Sequence, residues 1–162
     1  MNYIFEMLFL IHLLMIAEKD IHEKKIPNRY ILSLCLVAAG FIAVCRTSGI
    51  AAHFLGAVCV SAVLFLIALI VPGAFGMGDV KLMAAGGWFL GWKLIILSGI
   101  FAFLISGLYI IVVWFLQAVC KKGKTIHRRT ELAFGVFLCI GMAVSLLWGE
   151  QVINCYVNSP FY

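Results

Sequence analysis

The sequence predicts an all-α, polytopic membrane protein of about six transmembrane helices, and three observations carry that reading. Nearly two thirds of the 162 residues, 65%, are apolar and only 12% are charged, which leaves too little polar surface to coat a soluble globule. Apolar stretches long enough to cross a ~30 Å hydrocarbon core as helix follow one another with almost no linker. The basic residues behind the net charge of +5 sit in short clusters between those stretches, which reads as a topology signal rather than a nucleic-acid footprint. No fixed-period repeat or low-complexity linker divides the chain, so residues 1–162 read as a single membrane-embedded domain.

Breaking the chain at charge clusters and Gly/Pro punctuation predicts helices over 2–17, 30–45, 50–71, 80–91, 93–119 and 132–149. The first has no Lys or Arg before Lys19, so it lacks the basic start of a secretory signal and reads as a mature helix. The second is introduced by Pro27-Asn28, because proline disfavours helix in the residue before it and Asn caps orphan N–H groups. The third runs into Pro72-Gly73 and the turn Gly76-Met77-Gly78-Asp79. The fourth is short and stops at Gly91-Trp92, as a segment does that enters the bilayer at an angle or covers part of its depth. The fifth carries Gly99, Ala102, Ser106 and Gly107, small residues that let helix backbones approach closely in lipid. The sixth follows the basic cluster 121–130.

Positive charge tests this order, since short cytoplasmic loops hold the excess of Lys and Arg. Alternating the loops places Lys19, Lys24, Lys25, Arg29, Lys81, Lys121, Lys122, Lys124, Arg128 and Arg129 on one side, against Arg46 and Lys93 on the other, ten against two. Were the fourth segment not to cross, Lys93 would join the first side and the basic residues of 121–129 the second, and the bias would vanish, six against six. Both termini are then outside, and the loops carrying Asp20 and Asp79 face the cytoplasm.

Those two residues are the only aspartates in the chain. An ionisable group at a membrane boundary is costly and asks for a partner or a function. Asp20 stands where the first apolar run ends. Asp79 follows Gly76 and Gly78, glycines that permit positive φ and leave room for a second backbone. An extended peptide could pair with that loop and present a carbonyl to Asp79. Two carboxyls close enough to share a proton suit general acid–base hydrolysis, and the pair should titrate as a unit. Taken singly, each acid also fits a helix cap or a loop charge, and Lys81 fits an interfacial anchor as well as a partner for Asp79 or for substrate. Glu18 and Glu23 read as surface charge. Cys35, Cys45, Cys59, Cys120 and Cys139 lie in or at the ends of apolar segments with no CxxC spacing, and read as packing residues.

Asp20 followed by Ile26-Pro27-Asn28, then Gly76-x-Gly78-Asp79-x-Lys81-Leu82, resembles the paired signature of the type IV prepilin leader peptidases, the GxGD intramembrane aspartyl proteases. Leu132-Ala133-Phe134-Gly135-Val136-Phe137-Leu138 is more weakly similar to the family's late Pro-Phe-Gly-Pro segment. Ala133 and Val136 stand where that segment has prolines, so no catalytic role is carried onto it. The resemblance implies cleavage of a short basic leader from prepilins or pseudopilins at the cytoplasmic face of a bacterial or archaeal cell membrane, with Asp20 and Asp79 catalytic and Gly76, Gly78 and Lys81 toward the substrate. It implies no cofactor and no metal, and as partners only the substrate and the lipid bilayer, not nucleic acid. Larger family members add an N-terminal region with paired CxxC motifs and methylate the new N-terminus. This sequence begins at its first helix and resembles the short, peptidase-only form of Tad/Flp-type pilus systems, so methyl transfer is not expected.

Other intramembrane chemistries fit less well. A zinc enzyme needs HExxH, and His22-Glu23-Lys24-Lys25 is followed by Ile26, which removes the second ligand. Neither Ser98 nor Ser106 stands in a Gly-x-Ser-Gly setting, as a serine nucleophile of that kind would. The presenilin and signal-peptide-peptidase class has its first acid in a Tyr-Asp motif that Lys19-Asp20 does not match. A small transporter or non-enzymatic subunit, with the two acids as ion or proton ligands, is the alternative of a different class. It lacks a second pseudo-symmetric half and further polar residues at mid-bilayer depth.

Overall fold

The computed structural model describes residues 2–23, 26–45, 49–71, 75–120 and 133–157. Readings that rest on Lys24, Lys25, Arg46, Pro72-Gly73, the basic cluster 121–130 or Leu132 lie outside those residues. The described chain is helical: α1 (Asn2–Glu23), α2 (Asn28–Cys45), α3 (Ile50–Ile70), α4 (Met77–Cys120) and α5 (Phe134–Val157).

Each start has a local cause. Pro27 has no N–H to lose and its carbonyl accepts the Tyr30 N–H at 3.1 Å, opening the first turn of α2. Gly49 does the same for α3, accepting from Ala52 at 2.8 Å and His53 at 3.3 Å. α1 continues past the predicted residue 17 to Glu23, because residues 18–23 contain no Gly or Pro and the first helix breaker is Pro27. Asp20 therefore lies within a helix rather than after its end.

The predicted segments 80–91 and 93–119 form one element, α4, broken at Gly91, whose φ of 78° and ψ of 172° are not helical. A β-carbon is strongly disfavoured at such a backbone, which is why glycine sits there. The chain doubles back at this residue. The Ile95 Cδ1 lies 3.7 Å from where a Gly86 β-carbon would be, Met83 Cε lies 4.0 Å from that of Gly99, and the Phe75 and Phe103 rings are 6.1 Å apart. Residues nine to 28 positions apart cannot meet along a straight helix that rises ~1.5 Å per residue. The break frees carbonyls of the first arm, and the His53 ring N–H donates to that of Trp88 at 2.9 Å, satisfying one of them.

Packing follows helical stripes. On α1 the buried residues are Phe9, Leu13, Ile16 and Asp20; on the first arm of α4 they include Asp79, Leu82, Met83 and Phe89; on α5 they include Leu138, Met142 and Ser145. Spacings of three and four keep each set on one face. Glycine lets backbones touch where stripes cross: a β-carbon on Gly56 would lie 2.5 Å from the Gly87 carbonyl oxygen, and one on Gly141 would lie 2.5 Å from that of Ser98. The outer faces are apolar and bare, with Leu14 72%, Ile70 70% and Trp114 69% exposed, a surface suited to lipid and not to water. By length and composition, three described stretches are able to cross a membrane, Ile50–Ile70, Met77–Leu116 and Phe134–Cys155.

Candidate active site

Asp20 continues the buried stripe of α1, eleven residues beyond Phe9, and Asp79 stands ten residues before Phe89 on α4. The Phe9 and Phe89 rings stack with centroids 4.2 Å apart and planes 11° from parallel. Asp20 and Asp79 also both lie against Gly135, so α1 and the first arm of α4 point in opposite directions, and this register brings both acids to the same end of the bundle. Both are buried, Asp20 5% and Asp79 7% exposed.

The start of α5 packs against both. A β-carbon on Gly135 would lie 2.6 Å from Asp20 Oδ2 and 3.1 Å from Asp79 Oδ1, so those two oxygens are no farther apart than the sum of these distances. The sequence reading passed over Gly135, because the prolines of the segment it resembles are absent. A second signal was available: Gly135 begins the buried α5 stripe continued by Leu138, Met142 and Ser145.

Each carboxyl has its own support. Asp79 is the third residue of α4, and its Oδ2 accepts the Gly76 N–H at 3.3 Å while its N–H donates to the Gly76 carbonyl at 3.0 Å. This reciprocal cap holds one oxygen and leaves the other, Oδ1, facing Gly135 and Asp20. Asp20 Oδ2 is buried and, among the described residues, no donor reaches it. A proton carried by the pair would satisfy it, and two carboxylates this close cannot both ionise readily. Asp20 lies past the apolar run of α1. Burial raises its carboxyl above the ordinary value, and the backbone N–H groups of Val136 and Gly135 oppose part of that rise, as the electropositive start of a helix does.

The surroundings are apolar on one side and tied down on the other. Phe75, Phe103 and Phe134 form a ring cluster, with Phe134 centred 5.0 Å from Phe75 and 5.4 Å from Phe103. Phe75 and Phe134 immediately precede Gly76 and Gly135, so the cluster walls the acids and lowers the local dielectric. Gly78 turns its bare side to Ile26, whose Cβ would be 3.1 Å from an added β-carbon; among the described glycines, positive φ occurs at Gly91, not at Gly76 or Gly78. The exposed Lys81 ammonium donates to the Asn28 side chain at 3.1 Å, clipping α4 to the start of α2. Ile26-Pro27-Asn28 and Gly76-x-Gly78-Asp79-x-Lys81 are thus in direct contact at two points. Glu23 is paired with Lys19 at 3.1 Å on the surface, and Glu18 is exposed. Among the described residues, no three His, Cys, Asp or Glu side chains gather as metal ligands would. A cavity of about 600 Å³ lies at the opposite, Gly91 end, lined by His53, Trp92, Lys93 and Glu150, far from the acids.

Comparison with known proteins places this geometry in context. The model of the type IV leader peptidase family matches residues 7–111. A protein of Bacillus subtilis named prepilin leader peptidase/N-methyltransferase is 29% identical over 150 residues, covering 93% of this chain and 58% of its own length. Proteins of the same name from Legionella pneumophila and Pseudomonas aeruginosa are 34% identical over 87 residues and 29% over 91, covering 51% and 55% of this chain and 26% and 29% of their own lengths. The chain thus spans less than two thirds of each of these relatives. No solved structure matches.

Proposed function

The chain belongs to the type IV leader peptidase family, and from that premise we propose that it is an aspartyl endopeptidase that removes the leader of a prepilin or pseudopilin. The observation that carries the aspartyl assignment is the pair of buried carboxyls that both lie against Gly135. With one proton on the pair, the ionised carboxylate takes a proton from water as the water oxygen attacks the scissile carbonyl carbon. The protonated carboxyl donates to the carbonyl oxygen, and collapse of the tetrahedral intermediate returns a proton to the departing amine nitrogen. Gly76 and Lys81 are exposed beside Asp79 and, with Gly78 between them, are proposed to meet the substrate.

The charge pattern supports a multi-pass placement of about six crossings in the cell membrane, with both termini outside and the acids at the cytoplasmic face. The doubling back of α4 at Gly91 is compatible with separate fourth and fifth crossings. Only hydrolysis is proposed; N-methyltransferase is part of the relatives' names.

The test is coexpression with a prepilin and detection of leader loss by gel shift. The parent protein should cleave, while Asp20→Asn and Asp79→Asn should insert normally and not cleave. Continued cleavage by either variant overturns the assignment.

A further inference from the structure

Resting on the peptidase reading, we propose that Gly135 is a positioning residue of the dyad: its bare α-carbon is what lets the Asp20 and Asp79 carboxyls come close enough to share a proton. An added β-carbon would lie 2.6 Å from Asp20 Oδ2, 3.0 Å from its Cγ and 3.1 Å from Asp79 Oδ1, so a methyl group there occupies the space both carboxyls use. α5 cannot withdraw to make room. Its Gly141 is already against the Ser98 carbonyl of α4, its Ser145 hydroxyl donates to the Leu94 carbonyl at 2.6 Å, and Leu138 and Met142 are fully buried. Asp79 is held by its cap to Gly76, whereas among the described residues no donor reaches Asp20 Oδ2. A methyl group on residue 135 therefore displaces Asp20 first and breaks the sharing.

The test is Gly135→Ala in the full chain. Cleavage should fall by about 100-fold or more, the scale of a lost general acid–base contribution, through kcat rather than KM. The alkaline limb of the pH profile should move to lower pH as the carboxyls begin to ionise independently. A parent-like rate with an unmoved limb overturns the proposal.

A thermal-melt double-mutant cycle with Asp20→Ala separates positioning from misfolding. Loss of stability on Gly135→Ala should be relieved when the Asp20 carboxyl is also removed, and this includes recovery of a single variant that fails to accumulate. Equal losses in both backgrounds would place the clash elsewhere and overturn the proposal. If the parent cleaves no prepilin while the cycle shows this coupling, the peptidase reading fails and the placement of Gly135 against Asp20 stands.

Discussion

At the scale of single residues, the two aspartates are distinguished by what holds them. Asp79 doubles as the capping residue of α4, so Asp79→Asn keeps a side-chain acceptor and should preserve the fold while reducing cleavage by about two to four orders of magnitude. Among the described residues no donor reaches one buried oxygen of Asp20, and burial raises its carboxyl above the ordinary value. The folded state therefore binds its proton more tightly than the unfolded chain does. That contribution to stability is full below the ordinary carboxylate value and is lost as pH rises through the raised one. Asp20→Asn should accordingly melt no lower than the parent at neutral pH and lose the decline between acid and neutral pH, though inactive; a lower midpoint at neutral pH would contradict this. Cleavage should likewise persist above the ordinary carboxylate range and fall on the alkaline side, where the shared proton is lost. Lys81 is bonded to Asn28 on an exposed face, so Lys81→Met should cost about 1 kcal/mol of stability or less. If Lys81 also meets the substrate, KM for the prepilin should rise with kcat little changed.

At the scale of elements, α4 is the part the sequence described least well. Gly91 was legible as punctuation, but a one-residue reversal depends on a φ of 78° and on a neighbour able to receive the two arms. α3 supplies that neighbour, with backbone against backbone at Gly56 and Gly87. Gly87→Ala should cost about 1–3 kcal/mol through overpacking against backbone that cannot yield, read as a lower melting midpoint or poor accumulation. Gly107, with nothing within 4 Å of an added β-carbon, should accept Ala with no loss, and an equal loss at both positions would refute the packing account. α5 was legible as an apolar helix. Its role as the wall joining the two acids was not, because α1 and α4 had to be set around it first.

At the scale of the whole molecule, the placement in the membrane rests on charge and on the bare apolar exterior. Reporter fusions should find residues 121–130 cytoplasmic and both ends of the chain outside; the reverse would overturn the topology. That the chain is helical and membrane-bound is legible in its residues alone, and the scarcity of aspartates with the motifs around them marked Asp20 and Asp79. Composition and short spacings suffice for those conclusions, because hydropathy and helical period are local properties. It took the packed helices to show that α1 and the first arm of α4 point in opposite directions with Phe9 on Phe89, that Gly78 packs on Ile26 and that Gly135 lies against both acids. These are contacts between residues far apart in the chain, and a pattern that repeats every three or four residues says which face is buried but not what meets it.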